Sequence, residues 1–346
     1  ASTEAMPRTP RFETLYLHVG LDKTGTTSVQ SELAARAALL ESTLDIHFPT
    51  TFRQWPGFRG NHSNLLRPLF ARDPRAARRL AARGLHNEEE VIAFNRQNLE
   101  DLNAGFARTR SNDLLLSAEV ISHFKPVDLQ GLAQWSHELA QRVVVIACIR
   151  HPVHALSSEI QQRLRIGARL ENLYRNPPYY RFRELLGNLA GAFGSEALRL
   201  YSFHRAVEHP KGLAAALLQE CGRSAASGFE KQLPANVSMS AEAAVMLSAY
   251  NAQRPAFILG QRNPARSQAA VQRLAALPGD TYLAPADVLD RTRDVAAKEL
   301  DWLQERYGLD LSHPPVPAGT PDPRVGDAQL GPVALELAQQ AGTQVE

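Results

Sequence analysis

Hydrophobic residues cluster along this chain in short continuous runs that alternate with helical patterns. Three runs are almost wholly apolar, LYLHV at 15–19, LLLS at 114–117 and VVVIACI at 143–149, and ALRLYSF at 197–203 is a fourth. Continuous apolar runs are typical of parallel strands whose two faces are both covered by helices. The pattern therefore predicts a three-layer α/β fold with a central parallel sheet flanked by helices.

The helical patterns begin at Ser28 and Glu89 and cover VDLQGLAQWSHELAQ before the third run. From about Ser240 the chain is almost wholly helical in pattern, which predicts a helix-rich C-terminal part. SAEAAVMLSAYNAQR begins with a serine cap and DVLDRTRDVAAKELDWLQERYG ends at a glycine. These helices are expected to pack on the sheet rather than fold alone.

Residues 312–328 are rich in Pro and Gly, which predicts an extended connection to a short final helix. We therefore predict a flexible N-terminus at 1–11, one domain at 12–311 and an extended C-terminal segment at 312–346.

Composition limits the classes of function. The 346 residues are 44% hydrophobic, enough to bury a sizeable core, and a net charge of +2 does not favour nucleic acid as a partner. The two cysteines do not suggest a disulfide framework. No signal-peptide core and no run of about 18 apolar residues is evident, so we expect a soluble, cytoplasmic protein without stable membrane insertion. Basic residues are mostly Arg, which suggests a GC-rich bacterial genome.

The first apolar run leads into GLDKTGTT, which has the spacing of a phosphate-binding loop. Gly20 and Gly25 are separated by four residues between a strand and a helix. Backbone N–H groups converge on an anion at such a helix N-terminus, so a P-loop-like core with a phosphate ligand is expected. In a nucleotide triphosphatase the lysine follows the second glycine, whereas here Thr26 follows it and Lys23 precedes it.

A second feature follows the third run, which ends at Arg150 instead of at the carboxylate that would hold Mg²⁺. A cation at a strand end repels a metal and attracts a phosphate. In IRHPVHALSSE, Arg150 and Ser158 are eight residues apart across a turn in which Pro152 suits the first helical turn. Together they could bind one phosphate from two sides.

These two segments together resemble the sulfotransferases that use 3′-phosphoadenosine 5′-phosphosulfate (PAPS). KTGTTS is similar to the 5′-phosphosulfate loop of that family, and R-H-P-(x)5-S is similar to its 3′-phosphate motif. NVSMSAEA and DWLQERYGLDL resemble the bacterial branch, so the similarity covers about residues 12–311.

The resemblance implies PAPS as donor, adenosine 3′,5′-bisphosphate (PAP) as product and no metal. Lys23 would contact the 5′-phosphate and the bridging oxygen, and Arg150 and Ser158 would bind the 3′-phosphate. The residues that would line the phosphosulfate are Thr24, Gly25, Thr26, Thr27 and Ser28. A later segment, KQLPANVSMSAEA, would approach the 3′-phosphate with Lys231, Asn236 and Ser238, although Ser238 or Ser240 could instead cap the following helix.

Two residues are candidates for the general base that takes the proton of the acceptor. His62 lies in RGNHSNLL, which resembles the histidine segment of polysaccharide 2-O-sulfotransferases, and Glu119 follows the second run, where ligands of open α/β sheets gather. His62 could equally be a loop histidine bonded to backbone, and Glu119 a helix-start carboxylate. His18 and His123 are expected to line the pocket or to pack.

The expected partner is a carbohydrate or small molecule with a hydroxyl group, and a homodimer is left open. Acceptor specificity would come from residues 43–110 and from the Arg- and Tyr-rich segment 164–182. Two other functions compete with this interpretation. They are a Mg²⁺-dependent nucleotide kinase or phosphotransferase, and a non-catalytic protein that binds a 3′-phosphorylated nucleotide.

Overall fold

The computed structural model describes residues 10–21, 23–71, 80–81, 84–179, 181–224, 228–231, 238–312, 315–319 and 327–339. The strands in these ranges are β1 (Phe12–Val19), β2 (Ile46–His47), β3 (Asp113–Ala118), β4 (Ala140–Ile149), β5 (Leu198–Ser202), β6 (Phe257–Ile258) and β7 (Gln261–Arg262). The α-helices are α1 (Thr26–Ala35), α2 (Ala37–Leu44), α3 (Ser63–Phe70), α4 (Glu88–Arg108), α5 (Pro126–Leu139), α6 (Pro152–Arg165), α7 (Leu170–Arg175), α8 (Phe182–Phe193), α9 (Phe203–Glu208), α10 (Leu213–Glu220), α11 (Ala241–Gln253), α12 (Gln268–Ala275), α13 (Ala286–Tyr307) and α14 (Asp327–Gln339).

The first five strands form one parallel sheet in the order β2-β3-β1-β4-β5. The chain winds from β1 to one edge of the sheet, returns through β3 and then crosses to the other side, so the direction of winding reverses at β1. Open α/β sheets bind ligands beyond the carboxyl ends of the strands at such a reversal. The predicted α/β fold with a central parallel sheet flanked by helices is confirmed.

The strand register decides which residues leave the sheet side by side. Val19, the last residue of β1, pairs with Ala118 at the end of β3 and with Ala147 in β4. Gly20 directly follows β1 and Glu119 directly follows β3, so the loop after β1 begins beside Glu119.

Both faces of the sheet are covered, which explains the continuous apolar runs of the central strands. On one face Tyr16, Leu115 and Val144 lie side by side and are buried with Leu33 of α1 and Leu217 of α10. The helices α5 and α8 pack together on the other side of β1, β4 and β5. The loop between β1 and α1 is therefore held by a strand and a helix that are both anchored in the core.

The chain divides into two compact units. The first comprises Ala1–Ile149, Arg181–Leu233 and Leu303–Leu311 and contains the parallel sheet. The second comprises Arg150–Tyr180, Pro234–Trp302 and Ser312–Glu346, and its core is built by α6, α11, α12 and α14. The predicted domain boundaries stay predictions, and residues 1–9 of the predicted N-terminal segment lie outside the described residues.

Candidate functional site

The loop after β1 has the backbone shape of an anion-binding turn. Lys23 and Gly25 both adopt left-handed conformations, with φ of 63° and 73°, and α1 begins directly afterwards at Thr26. Alternating backbone conformations of this kind turn successive N–H groups toward one point, where they can bind an anion. Gly25, at the helix N-cap, has no side chain with which to cap, and the first turn of α1 carries no acidic residue. The positive end of the helix is thus available to a negatively charged ligand.

The buried hydroxyl groups of the loop hold its shape. Thr24 Oγ1 donates a hydrogen bond to the carbonyl oxygen of Leu21 at 2.7 Å, and Thr26 Oγ1 donates to the same oxygen at 3.3 Å. Both threonines are 4% exposed, whereas Thr27 is exposed and Ser28 is half-buried. Thr24 and Thr26 can therefore offer a ligand their backbone N–H groups, while Thr27 and Ser28 can also offer hydroxyls.

Glu119 lies against the same loop. A Cβ built on Gly20 would stand 2.8 Å from Cγ of Glu119 and would overlap Cγ2 of Thr26. Glu119 is half-buried and begins the short 3₁₀ helix Glu119–His123. Glu119, which the sequence analysis predicted from its place after the second apolar run, thus lies next to the loop that carries Lys23. Gly20, Lys23 and Glu119 all belong to the first unit.

Replacing Gly20 by alanine should lower the free energy of unfolding by about 1–3 kcal/mol, the usual cost of overpacking. The new methyl group would collide with Thr26, whose hydroxyl is tied to Leu21, and would push Glu119 away. Chemical denaturation measures the difference.

The matched control is Gly191→Ala in α8, where an added Cβ meets no atom within 4 Å. We expect this control to be neutral or stabilising by about 0.5–1 kcal/mol, because alanine suits a helix interior better than glycine. Equal destabilisation by both substitutions would contradict the close packing around Gly20.

The structure gives His62 a structural role that accounts for both of its ring nitrogens. The backbone N–H of Ser117 donates to Nδ1 at 3.0 Å, so the ring proton is on Nε2, which donates to the carbonyl of Pro49 at 2.9 Å. The ring is fully buried and packs edge-on against Phe48, with centroids 5.0 Å apart. This geometry leaves no lone pair for a substrate proton, so it does not support His62 as the general base, and that assignment stays a prediction.

His18 belongs to the same buried polar cluster. Its Nδ1 lies 2.8 Å from Oγ of Ser117, which also accepts a hydrogen bond from Nε2 of Gln30 in α1 at 3.1 Å. His18 is 1% exposed and packed, one of the two outcomes expected from the sequence. The cluster ties β1, β3 and α1 together immediately below the loop.

Burial lowers the pKa of His62 to about 4 and that of His18 to about 4. Because these folded-state values lie below the unfolded value of about 6.5, protons favour the unfolded chain. The stability that depends on neutral histidine is therefore complete above about pH 6.5 and is lost as the pH falls toward 4, by about 3 kcal/mol for each residue. Urea denaturation at about pH 7 and about pH 4.5 should show this loss.

His62→Gln tests the cause, because glutamine can accept from Ser117 and donate to Pro49 without titrating in this range. The variant should lose less stability on acidification than the wild type does. An unchanged pH dependence would show that His62 is not responsible.

Arg150 and Ser158 lie in the second unit, at the start of α6 and two turns along it. Nε of Arg150 donates to Nδ1 of His154 at 3.1 Å, and Nη2 donates to the carbonyl of His154 at 2.9 Å. His151 accepts a hydrogen bond from the N–H of Val153 and so caps the helix. The guanidinium is thus held in one orientation at the helix start, while Ser158 is half-buried.

The remaining predicted ligands are spread over the two units. Lys231 is exposed in the first unit, where its Cα would lie 3.2 Å from a Cβ built on Gly212. Ser238 is exposed in the second unit and lines an open cavity of about 530 Å³ together with Arg165. Asn236 lies outside the described residues. Ser240 caps α11 by accepting from the N–H of Ala243, as one of the two alternatives predicted.

Within the described ranges, no three His, Cys, Asp or Glu side chains are grouped so that they could hold a metal ion. In the same ranges no helix combines the length and the apolar character needed to cross a membrane. Cys148 and Cys221 are both buried and are not joined to each other by a disulfide bond.

Neither a protein-family model nor any curated protein matches this sequence. Among solved structures, a sulfotransferase from Alicyclobacillus acidocaldarius is 14% identical, covers 66% of this chain and 87% of its own, and has a TM-score of 0.37. The sulfotransferase domain from the curacin biosynthetic pathway is 12% identical over 84% of this chain and 99% of its own, with a TM-score of 0.31. The sulfotransferase domain from the Synechococcus PCC 7002 olefin synthase is 12% identical over 84% and 97%, with a TM-score of 0.33.

Proposed function

We propose that this protein transfers a sulfuryl group from PAPS to a hydroxyl of a carbohydrate or small-molecule acceptor. The observation that carries the proposal is the loop after β1. Lys23 stands before Gly25 in a left-handed turn, both residues precede an uncapped helix N-terminus, and Glu119 lies beside the loop. A cation, converging N–H groups and a carboxylate are together the groups that metal-free transfer to an alcohol requires.

The loop suits the donor end of the reaction. As the acceptor oxygen bonds to sulfur, the bond between sulfur and the bridging oxygen breaks, and its electron pair goes to the 5′-phosphate of PAP. The new negative charge would lie among the N–H groups of residues 25–28 and the ammonium of Lys23. Preorganised donors of this kind need no reorganisation during the reaction, which is why they lower the barrier.

Glu119 is the residue that we assign to the acceptor proton. Its side chain contacts the start of the loop, so an acceptor facing the phosphosulfate would be within its reach. A positioned carboxylate typically contributes about 10²- to 10⁴-fold through proton transfer. His62 has no free ring nitrogen for this role, and the assignment therefore favours Glu119.

The 3′-phosphate of the donor is assigned to Arg150 and Ser158, as the motif resemblance implies. Within the second unit, the support for this assignment comes from the orientation of the Arg150 side chain. His154 holds the guanidinium through two hydrogen bonds, which orients a charged fork suited to phosphate. Lys231, Asn236 and Ser238 remain proposed additional contacts to this phosphate.

One observation favours a second candidate function, a Mg²⁺-dependent phosphotransferase. Glu119 follows β3, the strand next to β1, and a carboxylate in that position beside a phosphate loop could hold Mg²⁺ in such an enzyme. Against it stands the lysine, which in those enzymes follows the second glycine, where this chain has Thr26. The two functions differ in donor and in metal requirement.

The test is turnover of labelled PAPS with a panel of phenols, sugars and alcohols, with and without a chelator of divalent metals. We expect acceptor-dependent release of PAP at the same rate in both conditions. Transfer of the γ-phosphoryl group of ATP, abolished by the chelator, would establish the alternative. If PAP binds to the protein but no PAP is released from PAPS with any acceptor, a non-catalytic nucleotide-binding protein would be favoured.

A further inference from the structure

A small hairpin in the second unit exposes its most apolar residues. The strands β6 and β7 pair antiparallel, with Phe257 opposite Arg262 and Ile258 opposite Gln261. Leu259 and Gly260 form the two-residue turn between them. Phe257 is 61% exposed, Ile258 50% and Leu259 100%.

The residues of this turn do not favour the backbone conformation that the turn adopts. Both turn residues have positive φ, 48° for Leu259 and 80° for Gly260. Two-residue hairpin turns of this type favour Asn, Asp or Gly at the first position, because leucine is strained there. A leucine that is both strained and fully exposed breaks two local rules, and such positions are commonly functional.

The arrangement of the apolar side chains limits what can cover them. Successive residues of a strand point to opposite faces, so Phe257 and Ile258 do not share one flat surface, and Leu259 stands at the tip. A medium that surrounds the tip would bury all three together. The boundary between the headgroups and the acyl chains of a lipid bilayer is such a medium.

The charges around the hairpin are complementary to an anionic surface. The segment 254–266 contains Arg254, Arg262 and Arg266 and no Asp or Glu. Arg266 is used internally, since Nη1 and Nη2 donate to backbone carbonyls of Arg254 and Arg165. Arg262 is exposed and Arg254 half-buried, so both can approach headgroups.

The neighbouring loop adds to the apolar surface. Ile166 is 68% exposed, and a Cβ on the next residue, Gly167, would lie 2.6 Å from Cβ of Ala256, directly before the hairpin. The acids of the adjoining helices are already paired. Glu159 bonds Arg163 at 2.8 Å, and Glu171 bonds Arg175 at 2.7 Å. Little negative charge therefore opposes an anionic surface at this end of the unit.

We propose that the hairpin, residues 254–262, docks this protein onto an anionic lipid surface. Phe257, Ile258 and Leu259 enter the boundary between headgroups and acyl chains, and Arg254 and Arg262 contact the phosphates. Such peripheral binding needs no membrane span. It is independent of the proposed sulfuryl transfer.

The experiment is flotation of the full chain with vesicles of phosphatidylcholine alone or mixed with phosphatidylglycerol. Wild-type protein should float with the mixed vesicles, less so at high salt, and not with the neutral ones. Leu259→Asn should lower the partition coefficient about tenfold or more, because asparagine suits the turn but removes the apolar tip. Arg262→Glu should weaken binding to the mixed vesicles specifically.

Val295→Asn is the matched control, since Val295 is 53% exposed on α13 outside the hairpin. It should bind as the wild type does. Thermal unfolding should show Leu259→Asn at least as stable as the wild type, which separates lost docking from lost folding. The proposal is overturned if wild-type protein ignores anionic vesicles, if Leu259→Asn floats equally well, or if the hairpin instead mediates a dimer that Leu259→Asn dissociates.

Discussion

Replacing Lys23 by alanine is expected to lower the rate of sulfuryl transfer from PAPS by about 10²- to 10³-fold, the usual cost of removing one donor to a developing oxyanion. The ammonium should matter most in the transition state, where the bridging oxygen gains charge. Lys23 has φ of 63°, and alanine keeps the Cβ that makes this conformation strained. The backbone strain at this position is therefore the same in the wild type and in Lys23→Ala, so the change in transfer rate reports the loss of the ammonium group.

Two variants control this experiment. Lys298→Ala removes an equal charge from an exposed position on α13 and should leave the rate unchanged. Lys23→Arg keeps the charge on a different geometry and should restore part of the activity. If Lys23→Ala transfers sulfuryl as fast as Lys298→Ala, the loop is not the site of the 5′-phosphosulfate.

Glu119→Gln is expected to reduce kcat by about 10²- to 10⁴-fold while leaving the affinity for PAP nearly unchanged. Glutamine has the shape of glutamate, so the packing of this side chain against Gly20 persists and only the proton acceptor is lost. Steady-state kinetics measures the change in kcat, and calorimetry measures the affinity for PAP.

His62→Gln is the comparison for this variant, since it changes the other residue predicted as a base. This variant should retain most of the transfer rate, because both ring nitrogens of His62 are hydrogen-bonded to the backbone of Pro49 and Ser117 and neither can accept a substrate proton. A rate loss as large as that of Glu119→Gln would contradict our assignment. If Glu119→Gln instead weakened binding of ATP with Mg²⁺, a metal-binding role of the carboxylate would be favoured.

The fold could be predicted where a pattern is long enough to be read. The first three apolar runs lie within β1, β3 and β4, and the fourth contains β5, because strands that are buried on both faces favour continuous apolar runs. The strand β2 was missed, since two residues show no period, and so was the hairpin of β6 and β7. The helix predicted from Ser28 is in fact two helices that break at Arg36, a tertiary choice that propensity does not mark.

The candidate site divides in the same way between local and distant information. The shape of the loop around Lys23 follows from glycine spacing between a strand and a helix, which is local. Glu119 comes beside Gly20 through the parallel register of β1 and β3, whereas the sequence predicted only that Glu119 follows a strand of a parallel sheet. The sequence left open whether His62 is a base or a histidine bonded to backbone, because the hydrogen bond from Ser117, 55 residues later in the chain, has no local signal.

Isothermal titration calorimetry with PAP, and separately with ATP plus Mg²⁺, tests the central claim that the two motifs hold a 3′-phosphorylated donor. We predict that PAP binds more tightly than ATP with Mg²⁺ and without any metal. Arg150→Ala should weaken PAP about tenfold or more, because a charged hydrogen bond to the 3′-phosphate is lost. Arg163→Ala, which removes an arginine paired with Glu159 on the same helix, should change little. Preference for ATP with Mg²⁺, or PAP binding that is indifferent to Arg150→Ala, would contradict the account.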